Sequence, residues 1–170
     1  FHLPEGSKLF IYNPDFSMIY GAYTNLNNNS EEVFASPLLR GDELIIEYSE
    51  PVAISEKFKL NIEYVVHDYK DILNYYNKRN NNRTCGTNVV CSEADPYADQ
   101  INAVSWLDMG GYICTGSMLN NTEQDLTPYY ITAWHCAEGE NVSTFRFYFN
   151  YETNSCSGSS ANYGSYAYGS

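Results

Sequence analysis

Apolar and polar residues alternate in short runs along the first part of the chain, which predicts β-strands rather than helices. Residues 8–13 and 17–24 flank an Asn-Pro-Asp turn, and residues 43–47 follow a Gly-Asp turn. Residues 57–67 place apolar side chains at every second position: Phe58, Leu60, Ile62 and Tyr64. The pattern predicts at least four antiparallel strands, which form a small β-sandwich or part of one.

The second part of the chain continues this pattern with more glycine and cysteine. Residues 101–107 and 112–119 flank Asp-Met-Gly-Gly, a sequence typical of a hairpin turn. Residues 129–132 are a third predicted strand. Residues 143–151 are a fourth, with phenylalanines at alternate positions. The predicted fold class is therefore all-β.

A polar segment separates the two parts. Residues 77–83 have the sequence NKRNNNR, the one dense basic run in an otherwise acidic chain. Such a segment is typical of an exposed interdomain linker that proteases cleave. We therefore expect a β-rich propeptide or accessory domain in residues 1–70, a linker in residues 71–84 and a second domain in residues 85–170. The candidate processing sites are Lys78, Arg79 and Arg83, and a linker without cleavage is the alternative.

Composition excludes several functional classes. The chain is 44% hydrophobic and 18% charged, which is typical of a globular protein. Its 17 tyrosines suit half-buried strands. A net charge of −12 argues against nucleic-acid binding, because no basic surface is left to neutralise phosphates. No apolar run approaches the roughly 20 residues of a membrane helix, so we expect no membrane contact.

All of the cysteines lie in the second part of the chain: Cys85, Cys91, Cys114, Cys136 and Cys156. This clustering is typical of a secreted domain that disulfides hold together. The closest cysteines, Cys85 and Cys91, and His135, which is next to Cys136, have a spacing that is poor for zinc, so we expect no metal and no cofactor. An odd number of cysteines leaves one without a partner, which favours a chain that is a piece of a longer protein.

The motif that carries chemistry is Cys-Thr-Gly-Ser-Met-Leu at residues 114–119, followed by Tyr-Ile-Thr-Ala-Trp-His-Cys at residues 130–136. The pair of motifs resembles the trypsin-like serine peptidases, whose first barrel has a C-[GT]-G-[ST] strand and then T-A-x-H-C. The resemblance implies that His135 is the general base and that Cys114 bonds Cys136. A disulfide beside the histidine would anchor the backbone of a base that must keep a fixed angle to its nucleophile.

A closer resemblance is to the lysyl endopeptidase branch, whose members bacteria secrete. It covers roughly residues 85–156 and rests on TCGTNVVCSEAD, the asparagine-rich loop after residue 119, and FYFNYETNSC. It implies that Cys91 bonds Cys156 and that Cys85 awaits a downstream cysteine. It also implies the N-terminal part of a chymotrypsin-like double β-barrel, and cleavage after Lys or Arg.

The acid and the serine of a catalytic triad are not found in the sequence. Asp108 and Asp125 precede His135 and match no catalytic position, and Gly-Ser-Ser at residues 158–160 follows it too soon. We therefore expect a fragment of a secreted serine endopeptidase that acts on proteins or peptides and is inactive without its missing C-terminal half.

Two other functions compete with the endopeptidase interpretation. The first is a non-catalytic β-sandwich binding protein or a degenerate peptidase homologue, since tyrosine-rich surfaces recur at interfaces. The second is a cysteine peptidase that uses Cys114 or Cys136. It is disfavoured because secreted thiols in such a domain are expected to be oxidised.

Overall fold

The computed structural model describes residues 1–53, 55–69, 86–158, 161–162 and 164–169. The chain divides into two compact units, Phe1–Val65 and Val66–Gly169. The paired strands are antiparallel in both units, and the helices are few and short, so the predicted all-β class is confirmed. No helix among the described residues has the length and apolar character needed to cross a bilayer.

The first unit contains a three-stranded sheet with the order β2–β1–β3. Its strands are β1 (Lys8–Tyr12), β2 (Ile19–Tyr23) and β3 (Ile45–Ser49). Alternation along β1 buries Leu9 and Ile11 on one face. Asn13 closes the hairpin between β1 and β2, because its side-chain oxygen accepts the Met18 N–H at 2.8 Å.

The fourth strand predicted for the first unit is wrong. Within residues 57–67 only Lys59 forms a bridge, with His2, through backbone bonds of 2.9 and 3.0 Å. Residues 60–67 are exposed, and no strand lies beside them in the described part of the chain. Alternating side chains alone do not make a strand, because a strand needs a neighbour to pair its backbone. Phe58 instead stacks on Tyr48 with ring centroids 3.8 Å apart.

The second unit is built on a five-stranded sheet with the order β10–β7–β4–β5–β6. Its strands are β4 (Val104–Asp108), β5 (Ile113–Leu119), β6 (Tyr129–Thr132), β7 (Arg146–Phe149) and β10 (Ser165–Tyr168). A two-stranded sheet pairs β8 (Glu152–Thr153) with β9 (Ala161–Asn162). The predicted strand at residues 129–132 is confirmed with the same bounds, and that at residues 112–119 within one residue.

The structure differs from the predicted elements of the second unit in three places. The start of the predicted strand at residues 101–107 belongs to the helix Ala98–Ala103, so β4 begins later. The predicted strand at residues 143–151 is shortened by a 3-10 turn at Val142–Thr144. Strand β10 was not predicted, because its Gly/Ser/Tyr-rich sequence has little strand signal without its partner β7.

The two faces of the five-stranded sheet bury different kinds of side chain. One face packs Leu107, Met109, Phe145 and Cys136 into a buried cluster. On the other face Arg146 and Asp108 lie directly opposite each other on adjacent strands, and both are buried. The cluster on the first face matters for the site, because Cys136 directly follows His135.

Candidate active site

His135 lies in a single helical turn, Trp134–Ala137, that begins immediately beyond the end of β6. Ala133 is extended and precedes the turn, which is closed by the bond from the Cys136 N–H to the Ala133 carbonyl at 2.9 Å. The His135 side chain is exposed, whereas Cys136 is 3% exposed. The turn therefore presents an accessible imidazole on a backbone whose next residue is fixed in the core.

Two disulfides hold the second unit, and they join the same cysteines that the family resemblance pairs. Cys136 bonds Cys114 on β5, which ties the residue after His135 to the strand next to β6 in the sheet. Cys91 bonds Cys156, which ties the segment before the helix Ala98–Ala103 to the segment after β8. The first disulfide directly restricts the backbone of the candidate base.

Hydrogen bonds from two β6 side chains restrain the strand on the N-terminal side of His135. Thr132 donates its hydroxyl to the Thr115 carbonyl at 3.0 Å, and the Tyr130 hydroxyl lies 2.7 Å from the Ser105 hydroxyl. A Cβ atom on Gly116 would overlap the Tyr130 ring, so the glycine of the Cys-Thr-Gly-Ser motif leaves room for that ring. Sequence reasoning found the motif but missed the roles of Ser105 and Tyr130, which no local pattern signals.

Asp108 and Asp125, the two aspartates considered in the sequence, are engaged in contacts away from His135. Asp108 is paired with Arg146 at 3.0 Å, and both side chains are 6% exposed. Asp125 accepts hydrogen bonds from the Asn121 side chain at 2.6 Å and the Thr127 N–H at 3.0 Å. These bonds, that of Asn121 first, lower the pKa of Asp125 to about 2. Within the described ranges no ion pair or hydrogen bond joins a carboxylate to the His135 ring.

Three possible metal-ligating atoms, one of them from His135, lie as close together as those of a metal site, but two of them cannot bind a metal in this structure. The ligand atoms of Cys114, His135 and Cys136 lie within 4.8 Å of one another. Zinc binds cysteine as a thiolate, and these two sulfurs are joined in a disulfide. In this oxidised form the cluster offers a single imidazole, and the same bond leaves neither sulfur free as a nucleophile.

Several residues singled out in the sequence lie outside the described residues. They are the processing candidates Lys78, Arg79 and Arg83, the odd cysteine Cys85, and the serines of the Gly-Ser-Ser segment. The linker predicted at residues 71–84 also lies there. Their roles stay predictions.

Comparison with known families places the second unit in a described family. A family model described as "Lysyl endopeptidase, C-terminal domain" matches residues 79–169. The match spans more than half of the chain. It includes His135, both disulfides and all of the strands in the five-stranded sheet.

Proposed function

This chain belongs to the lysyl endopeptidase C-terminal-domain family, and we propose that His135 is the general base of a serine endopeptidase. The position of His135 supports this role most directly: an exposed imidazole stands at the end of β6, and Cys136 anchors its backbone through the bond to Cys114. In this chemistry the imidazole takes the proton of a serine hydroxyl as the oxygen attacks a peptide carbonyl. It later gives that proton to the leaving amine.

The acid and the serine of the triad come, in this proposal, from polypeptide outside these 170 residues. Two observations support it. Asp108 is held in a buried ion pair, and Asp125 is held in its own loop by Asn121. Neither carboxylate is available to orient an imidazole. The 170-residue chain alone is therefore expected to lack peptidase activity.

The substrates that we propose are proteins or peptides cut after Lys or Arg, a preference that rests on the family alone. We propose secretion from a bacterium, since disulfides persist in oxidising compartments. Residues 1–70 then act as a propeptide or accessory domain, and maturation occurs after Lys78, Arg79 or Arg83. N-terminal sequencing of the secreted enzyme tests this step, and a mature start well before Lys78 contradicts it.

The decisive experiment uses the longer secreted polypeptide that contains this chain. Peptides with Lys, Arg or Ala before the scissile bond are incubated with the wild type, with His135→Ala, and with Glu140→Gln as the matched control. Glu140 is also exposed and lies in the part of the chain that maturation would retain, but outside the two motifs. We expect His135→Ala to lower kcat by roughly 10⁴- to 10⁶-fold, the range seen for the loss of a triad member.

The outcomes separate the parts of the proposal. Cleavage that survives in His135→Ala within tenfold of the wild type refutes the role of His135 as base, whatever the specificity. Activity that depends on His135 but favours Ala refutes the basic preference alone. A wild-type polypeptide that cuts none of the peptides, or unrelated denatured proteins, favours the non-catalytic binding homologue.

A further inference from the structure

We infer that Tyr130 is a positioning residue for His135, because its phenol reaches across the sheet and holds the strand that carries the histidine. The inference rests on the proposed function of His135 as the base. Four groups form this arrangement, called here the β6 clasp: Tyr130, Ser105, Gly116 and Phe147.

The central contact of the β6 clasp spans three strands. Tyr130 lies on β6 and Ser105 on β4, and β5 runs between them in the sheet. The two hydroxyl oxygens are 2.7 Å apart, and Ser105 is 1% exposed. Hydrogen bonds between neighbouring strands are ordinary, but this one joins an edge strand to a strand that is not its neighbour. It therefore restrains β6 against the interior of the sheet.

The ring of Tyr130 is half-buried, and Gly116 and Phe147 restrict its position. It lies over Gly116, where any side chain would overlap it and the Ile131 carbonyl oxygen. Phe147 meets it edge-on, with ring centroids 4.7 Å apart and an interplanar angle of 75°. Burial also raises the pKa of the Tyr130 phenol, so the hydroxyl keeps its proton at neutral pH. The missing side chain at Gly116 therefore leaves the space through which the Tyr130 hydroxyl reaches Ser105.

The β6 clasp restrains the chain on the N-terminal side of His135. Strand β6 has four residues, and in the described part of the chain its strand neighbour is β5 alone. Beyond His135, the disulfide from Cys136 fixes the chain to β5. Before His135, the bond from Tyr130 fixes it to β4. The disulfide therefore fixes the C-terminal end of the segment that contains His135, and the Tyr130 bond fixes its N-terminal end.

The test compares Tyr130→Phe, Ser105→Ala, the double variant and the control Tyr129→Phe in the 170-residue chain. Tyr129 neighbours Tyr130 on β6 but is 53% exposed. The readout is the set of histidine ring signals in ¹H–¹³C NMR, recorded well below the melting temperature. The chain has 3 histidines, so His2 and His67 serve as internal references.

We expect the His135 signal to shift and broaden in Tyr130→Phe and in Ser105→Ala, with His2 and His67 unchanged. The double variant should match the single variants, because both remove the same bond. Tyr129→Phe should match the wild type. Amide exchange in β6 should accelerate about fivefold, the factor for about 1 kcal/mol of lost hydrogen bonding.

A His135 signal that stays unchanged in both single variants overturns the inference, even if their melting temperatures fall, because Tyr130 would then only stabilise the fold. If Tyr130→Phe fails to fold, Ser105→Ala alone decides, since it removes the same bond and leaves the ring. In the longer polypeptide, a positioning role lowers kcat by roughly 10- to 100-fold with KM unchanged. The NMR result does not depend on catalysis, so failure of the proposed function is seen separately.

Discussion

Breaking the buried ion pair between Asp108 and Arg146 should destabilise the second unit more than any single charge change on its surface. The Arg146 Nη2 and Nε atoms lie 3.0 and 3.2 Å from Asp108 Oδ2. The other carboxylate oxygen accepts the Gly110 N–H at 2.9 Å. Both charges are therefore paired and almost fully withdrawn from water. Replacing Arg146 by Met leaves a buried carboxylate with one backbone donor.

The size of the effect follows from the desolvation of the remaining charge. At an effective dielectric constant of about 20, unit charges about 3 Å apart attract by roughly 5 kcal/mol. Removal of one member of a buried pair lowers the free energy of unfolding by about 3–5 kcal/mol, because the other charge stays buried without compensation. The double variant Asp108→Asn/Arg146→Met leaves no charge, so it should be more stable than Arg146→Met.

Urea unfolding followed by tryptophan fluorescence measures this directly. Both tryptophans, Trp106 and Trp134, belong to the unit Val66–Gly169, so their signal reports its unfolding. The control Glu140→Gln changes an exposed charge in the same unit and should alter the free energy of unfolding by less than about 0.5 kcal/mol. A loss below about 1 kcal/mol in Arg146→Met, against the buried-pair range of about 3–5 kcal/mol, refutes the reasoning.

Two further predictions concern the disulfides and an acidic loop. The disulfides close segments of 65 residues (Cys91–Cys156) and 22 residues (Cys114–Cys136). Serine replacement of each pair should therefore lower the free energy of unfolding by about 4 and 3 kcal/mol respectively, and the reverse order in urea titrations contradicts the loop-entropy account. The pKa of Asp125 is about 2, below its usual 3.8, so its stabilisation is present above pH 3.8 and is lost as the pH falls through about 2. NMR titration of that carboxyl checks this, and a midpoint near 3.8 contradicts it.

The parts of the fold that could be predicted are those with local signals. Strands β5 and β6 were found because alternating apolar residues lie next to glycine turns or polar loops, and the pattern spans only the strand itself. The motif around His135 was found for the same reason, since its residues are close in sequence. Residues 57–67 carry the same alternation but have no strand beside them in the described chain, so the same rule failed there.

The parts that could not be predicted depend on residues distant in sequence. Asp108 and Arg146 are 38 positions apart, and Ser105 and Tyr130 are 25 positions apart. Neither pair has a sequence pattern that distinguishes it from ordinary surface polar residues. Strand β10 likewise exists through β7, where Tyr166 lies opposite Tyr148. Long-range pairing of this kind is fixed by the three-dimensional sheet, so propensity alone does not indicate it.

The restraints around His135 act on its backbone rather than on its ring. The disulfide from Cys136 and the bond from Tyr130 fix where the Cα atom stands, yet the exposed imidazole still turns about its side-chain bonds. A general base needs more, because a second group must hold one ring nitrogen so that the other faces the nucleophile. The described residues position the proposed base without that orienting acceptor. In the isolated chain the His135 ring should therefore populate several rotamers. If the proposed function holds, joining the chain to the segment proposed to carry the acid should select one of them.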